Sequence, residues 1–194
     1  MDIVRHNIAG WHILMLTAVG GMTYWVTFFG GPLQYKALPR HMFGSLQSKV
    51  FPVYFGIGTL LSSALTFTFT RLRPDSLKGL ALDPRRMGGS SWQLVGLGVA
   101  AAAYGVNWAY VGPLTTKVIF DRHKIENKTG QDAYQTRPEK LKPDLKQLNM
   151  EFARLHGMSS ALNLAIVGSL TYHALWLGRY LSDTPVVPAI VKEL

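Results

Sequence analysis

Residues 38–55 read LPRHMFGSLQSKVFPVYF, and charge, turn chemistry and the start of an apolar run meet there. Pro39 fixes its own φ and ends any helix that precedes it. Arg40, His41, Gln47, Ser48 and Lys49 then form a polar collar ahead of residues 50–70, a run without a single charged side chain. At ~1.5 Å per residue that run is long enough to cross a ~30 Å hydrocarbon layer. The stretch reads as a hinge at a bilayer surface.

Three further runs resemble it. Residues 8–29 are apolar, too long for a signal-peptide core and without a clear cleavage site, and residues 1–7 are too weakly basic for a transit peptide. Trp11 and His12 lie near one end and Trp25, Phe28 and Phe29 near the other, as interfacial anchors do. Residues 92–111 and 157–177 complete a set of four spans. With 16% of residues charged, 48% hydrophobic and a mean hydropathy of only +0.13, apolar segments must alternate with polar ones. The expected architecture is therefore all-α, a single integral-membrane four-helix bundle over residues 1–194.

Small residues recur inside the spans. Gly20 and Gly21, Gly56 and Gly58, and the pairs Gly96/Ala100 and Ala101/Gly105 suit close helix approach in lipid. The Gly56-x-Gly58 pair is no dinucleotide fingerprint, because no third glycine or ribose-binding acid follows. Gly30-Gly31-Pro32 marks a break or kink after span one. Residues 71–91 form a loop with Pro74, Pro84, Gly88 and Gly89 and no catalytic spacing.

Beyond span three, Leu114, Val118, Ile119, Arg122 and Ile125 form a stripe that continues the helix into water, with a stop expected between Asn127 and Gly130. Residues 131–143 read as a mobile loop. Leu145, Leu148, Phe152 and Leu155 then line one face of an amphipathic helix running into span four. Covering one stripe with the other makes a two-helix stalk within the extramembrane segment 115–156; a helix lying on the membrane surface is the competing reading. Residues 179–194 are a tail broken by Pro185 and Pro188.

Four spans put both termini on one side and loops one and three on the other. Those two loops hold 12 of the 20 Lys and Arg residues, which leans them towards cytosol or matrix and the termini outward. The same geometry brings the collar, Pro113, Thr115 and Thr116 at the end of span three, and His156, Gly157 and Ser159 at the start of span four to one face, as one expected polar cluster. Asn107 and Asn163 lie roughly 10–12 Å below it, and a hydrogen bond between them is expected.

Catalysis finds little support. His156, Ser159 and Asn163 share a helix face, but no acidic partner in the spans orients the imidazole. The six histidines show no HExxH or related metal spacing, and Met15 and Met22 serve packing more readily than metal binding. No span contains Asp, Glu, Lys or Arg, which argues against a proton-coupled pump. The net charge of +9 has no recognition motif beside it, so the basic residues are read as flanks of spans rather than contacts to nucleic acid. Without cysteine there is no disulfide, thiolate metal site or thiol nucleophile. The residues thus assign no catalytic group, cofactor or metal; the partners they imply are the lipid bilayer and other membrane-protein subunits.

GMTYWVTFFGGPL, LPRHMFGSLQSKVFPVYF, NWAYVGPLTTKVIFDRHKIE and LHGMSSALNL, in this order, resemble the motifs of the transmembrane protein 205 family across residues 10–177. The resemblance implies a four-helix eukaryotic membrane protein with no established enzymatic activity, one animal member of which is associated with cellular resistance to platinum drugs. Thiol-based platinum handling does not carry over to a chain without cysteine. Arg40, His41, Gln47, Lys49, Asn107, Pro113, Thr115, Thr116, His156, Gly157, Ser159 and Asn163 stand at motif positions, and the family assigns none of them a proven role. Two functions follow as expectations: an accessory component of a membrane assembly, or a small-molecule carrier. A basic, cysteine-free chain that keeps Met1 leans towards uncleaved insertion into a mitochondrial membrane.

Overall fold

Helix lengths set the architecture. A computed structural model describes residues 2–80, 85, 87–130, 136 and 140–182, with side chains described from residue 7 onward. The expected loop at 131–143 and the proline-broken tail fall largely outside these residues. Four helices are long and apolar enough to cross a membrane: Asn7–Ala37, Arg40–Leu72, Gly89–Thr129 and Pro143–Ser182, of 31, 33, 41 and 40 residues. At ~1.5 Å per residue the last two reach about 60 Å, twice a ~30 Å hydrocarbon layer. Among the described residues there is no strand, and the chain is the expected all-α membrane four-helix bundle.

In chain order the helices are α1 (Asp2–Tyr24), α2 (Gly31–Ala37), α3 (Arg40–Leu72), the short α4 (Asp75–Lys78), α5 (Gly89–Val106), α6 (Gly112–Thr129) and α7 (Pro143–Ser182). Between α1 and α2, and again between α5 and α6, the backbone passes through a π turn, Trp25–Gly30 and Asn107–Val111. The helix therefore continues through Gly30-Gly31-Pro32, and the break or kink expected there takes the form of a π turn. Proline clashes with the carbonyl four residues earlier and lacks an N–H. One extra residue in the turn ahead of Pro32, and of Pro113, redirects those carbonyls and lets the helix continue. Gly31 N–H donates to Val26 O and Gly112 N–H to Asn107 O, five residues back in each case. A Cβ on Gly31 would lie 2.9 Å from Val26 O, and one on Gly112 2.6 Å from Asn107 O, so both turns require glycine.

The reversal between spans one and two comes at Leu38-Pro39. Leu38 is extended at φ −110° and ψ 142°, as the residue before a proline is steered to be. The next helix starts at once, at Arg40, so the collar is itself helical and continuous with residues 50–70. At the far end of α6, Gly130 adopts a left-handed φ of 64° and its N–H caps Glu126 O, which is the stop expected there.

Inside the bundle α5 packs against both α3 and α7, and α1 lies along α3 and α7. Tyr104, Leu65, Leu97 and Ile166 fill the centre and are fully buried. The Gly56-x-Gly58 pair is a packing surface: a Cβ on Gly58 would stand 2.2 Å from Tyr104 Cε1, and one on Gly56 3.2 Å from Trp108 Nε1. Gly20 and Gly21 behave otherwise. A Cβ on either would meet nothing within 4 Å, so the close approach expected there is not made within this chain. Further along, Val111 and Val118 of the third long helix meet Leu155, flanked by Leu114, Leu148 and Phe152, which joins the two amphipathic stripes.

Candidate functional site

Polar groups inside the bundle collect into two layers, each drawing a side chain from every span. In the first, Thr23 donates to Val19 O at 2.5 Å, which uses its single proton, so the 2.5 Å contact between Thr23 Oγ1 and Tyr104 is donated by the tyrosine hydroxyl. Tyr54 donates to Asn163 Oδ1 at 3.0 Å, and Asn163 Nδ2 donates to Thr27 Oγ1 at 2.7 Å. The Tyr54 and Tyr104 rings meet edge to face at 5.7 Å, closing the layer.

The second layer lies ten to fifteen residues along each helix, roughly 15–22 Å away. Thr68 Oγ1 is 2.7 Å from His12 Nδ1, His12 Nε2 is 2.9 Å from His173 Nε2, and His173 Nδ1 is 3.0 Å from Gln93 Oε1. Thr68 Oγ1 also donates to Ala64 O at 2.9 Å, which uses its single proton, as Thr23 does on Val19 O. Both histidines and Gln93 are buried, and Gln93 Nε2 has no partner among the described residues. Phe69 and Trp176 wall the pair with ring contacts.

Just beyond this layer is a cleft of about 380 Å³ lined by His12, Phe69, Arg73, Trp176 and Tyr180. Arg73 lies over the rings of Trp176 and Tyr180 at 5.6 and 5.3 Å and grips Asp75 with two hydrogen bonds of 3.0 and 3.1 Å. Hydrogen bonds from Arg73 and from Ser90 hold the exposed Asp75 carboxyl down to about 2.

The collar does not gather into the single cluster expected. Arg40 sits over the Tyr35 ring at 5.0 Å, and buried Gln47 donates to Gln34 Oε1 at 2.9 Å. Ser48 turns back onto Ser45 O, and Lys49 is exposed. Thr115 donates to Val111 O at 2.7 Å, Thr116 is half-buried, and Pro113 is exposed on the turn it shapes. His156 is exposed with its ring stacked on Phe152, so it does not face Ser159 as a base would. Asn107 is fully buried, as its amide requires, but it donates to the backbone carbonyl of Ser159 at 3.4 Å rather than to Asn163. Asn163 instead faces the first two spans, where Thr27 in the π turn and Tyr54 of α3 satisfy it.

His41 meets ionisable partners on α6. Its Nε2 is 3.1 Å from Glu126 Oε2, and its ring stacks on His123 with centroids 4.1 Å apart. Arg122 Nη2 approaches the other carboxylate oxygen at 3.9 Å, and its guanidinium lies 5.0 Å over the Phe152 ring. Histidine spacing hid this group, because the only local trace is His123-x-x-Glu126. The His12–His173 pair, 161 residues apart, leaves no local trace.

Known proteins place the chain. Residues 14–124 match the family described as Domain of unknown function (DUF4149). The chain is also 30% identical over 184 residues to Transmembrane protein 205 of Danio rerio, covering 86% of this chain and 92% of that protein. It belongs to the transmembrane protein 205 family. No solved structure matches. The family match begins just after His12 and ends just short of Glu126, so it takes in Thr23, Tyr54, Tyr104, Thr68 and Gln93, while His173 and Asn163 lie beyond it.

Proposed function

We propose that this member of the transmembrane protein 205 family is a non-enzymatic structural or interaction component of a membrane assembly. The supporting observation is the filled interior. The polar side chains at both layers are tied to one another across the four spans, and the 380 Å³ cleft lies at one end of the bundle rather than at mid-membrane. A carrier needs a wet path with polar groups left for its solute. An assembly component needs a stable body with an outer face for neighbours. Span one supplies such a face, with Trp11, Trp25 and Phe29 more than half exposed. A cysteine-free, basic chain fits a mitochondrial membrane, which fractionation of the tagged protein tests.

Gentle detergent extraction, native sizing and mass spectrometry of co-migrating proteins test the function. A large particle with a fixed set of partners supports it. A lone or homo-oligomeric particle that moves a solute, platinum complexes included, across proteoliposomes replaces it with the carrier reading.

A further inference from the structure

We propose that His41, His123 and Glu126 form a binding site for a divalent transition-metal ion of the zinc class. His41 stands in the first turn of α3, while His123 and Glu126 are three residues apart and share a face of α6. Their ligand atoms all lie within 4.8 Å of one another. The 3.1 Å between His41 Nε2 and Glu126 Oε2 falls in the range of about 3–3.5 Å that separates two ligands of one metal at bond lengths of ~2.0–2.2 Å.

The surroundings suit the role. Gly44 is buried against His123: a Cβ there would stand 3.4 Å from His123 Cε1 and 3.2 Å from Ile119 Cγ2, so glycine lets α3 bring His41 up to α6. Arg122, itself buried between Glu126 and the Phe152 ring, approaches Oε1, while His41 is on Oε2. An outer-sphere partner of this kind orients a ligating carboxylate.

Donor chemistry selects the metal. Two imidazole nitrogens and one carboxylate oxygen suit Zn²⁺, Cu²⁺, Ni²⁺ or Co²⁺, whereas Mg²⁺ and Ca²⁺ call for more oxygens than this site has. Three protein ligands leave a fourth position open to water or to a neighbouring group. On binding, the metal replaces the proton between His41 Nε2 and Glu126 Oε2. That proton is released, or a neutral His41 ring carries it on Nδ1. The bound ion would staple the start of α3 to α6.

The test uses full-length, tag-free protein in detergent, stripped with chelator and titrated with Zn²⁺ by calorimetry. One saturable site per chain is expected. His41→Ala, His123→Ala and Glu126→Gln should each weaken it at least tenfold, and His156→Ala should leave it unchanged. Cu²⁺ at one equivalent on the unsubstituted protein should give an electron paramagnetic resonance spectrum with hyperfine splitting from two imidazole nitrogens, a readout that no variant's folding can confuse. The absence of saturable Zn²⁺ binding overturns the proposal. So does undiminished binding in a folded triple variant, or a Cu²⁺ signal without nitrogen splitting.

Discussion

His12 of the first span and His173 of the fourth face each other Nε2 to Nε2 at 2.9 Å, both buried. Each ring's other nitrogen is held by a second span, Thr68 for His12 and Gln93 for His173. Removing either ring strands a buried polar atom on the other. His173→Ala should therefore destabilise the bundle by about 1–3 kcal/mol. In a His12→Ala/His173→Ala double-mutant cycle, the two losses should be less than additive, with a coupling of roughly 0.6–1.7 kcal/mol. Unfolding in mixed micelles measures both, and strict additivity would count against a direct bond.

Gly58 of α3 lies against the Tyr104 ring of α5. Gly58→Ala puts a methyl within 2.2 Å of the Tyr104 ring, which cannot move without leaving Thr23. A loss of about 1–3 kcal/mol is expected. Gly98→Ala, where a Cβ meets nothing within 4 Å, should be neutral or stabilising by up to ~1 kcal/mol. Equal melting temperatures for the two variants would refute this account.

The π turn before Pro113 makes a prediction of opposite signs. Gly112→Ala alone collides with Asn107 O and should lower the melting temperature. Adding Pro113→Ala should recover much of the loss, because a chain without the proline can relax the turn to ordinary α-helix. If the double variant melts no higher than Gly112→Ala alone, proline is not the reason for the turn.

Asp75 links stability to pH. Its carboxyl is held at about 2 in the folded chain, below the ordinary 3.8, so the unfolded state binds the proton more readily. The contribution is full above the unfolded value and is lost as pH falls through about 2. The group is more than half exposed, so solvent screening keeps the contribution below ~1 kcal/mol. Asp75→Asn should flatten the melting temperature between pH 4 and 2 by that small amount, read as the difference between the two titrations.

Local chemistry in the chain determined much of this protein. Uncharged runs of spanning length made four membrane helices, Pro39 turned the chain, Gly130 stopped α6, and the stripes containing Val118 and Leu155 paired. These features rest on hydropathy, period and backbone restriction, all of which act over a few residues. Tertiary structure alone decided which polar groups meet. Asn107 was bound to face protein, but its partner became the Ser159 carbonyl, and Asn163 went to Tyr54 and Thr27. His12 with His173, and His41 with His123 and Glu126, were equally unforeseeable from spacing. The reason is rotational. Lipid demands that an amide or imidazole turn inward, but the angle of each helix about its axis is set by contacts such as Tyr104 against Gly58, between residues far apart in the chain.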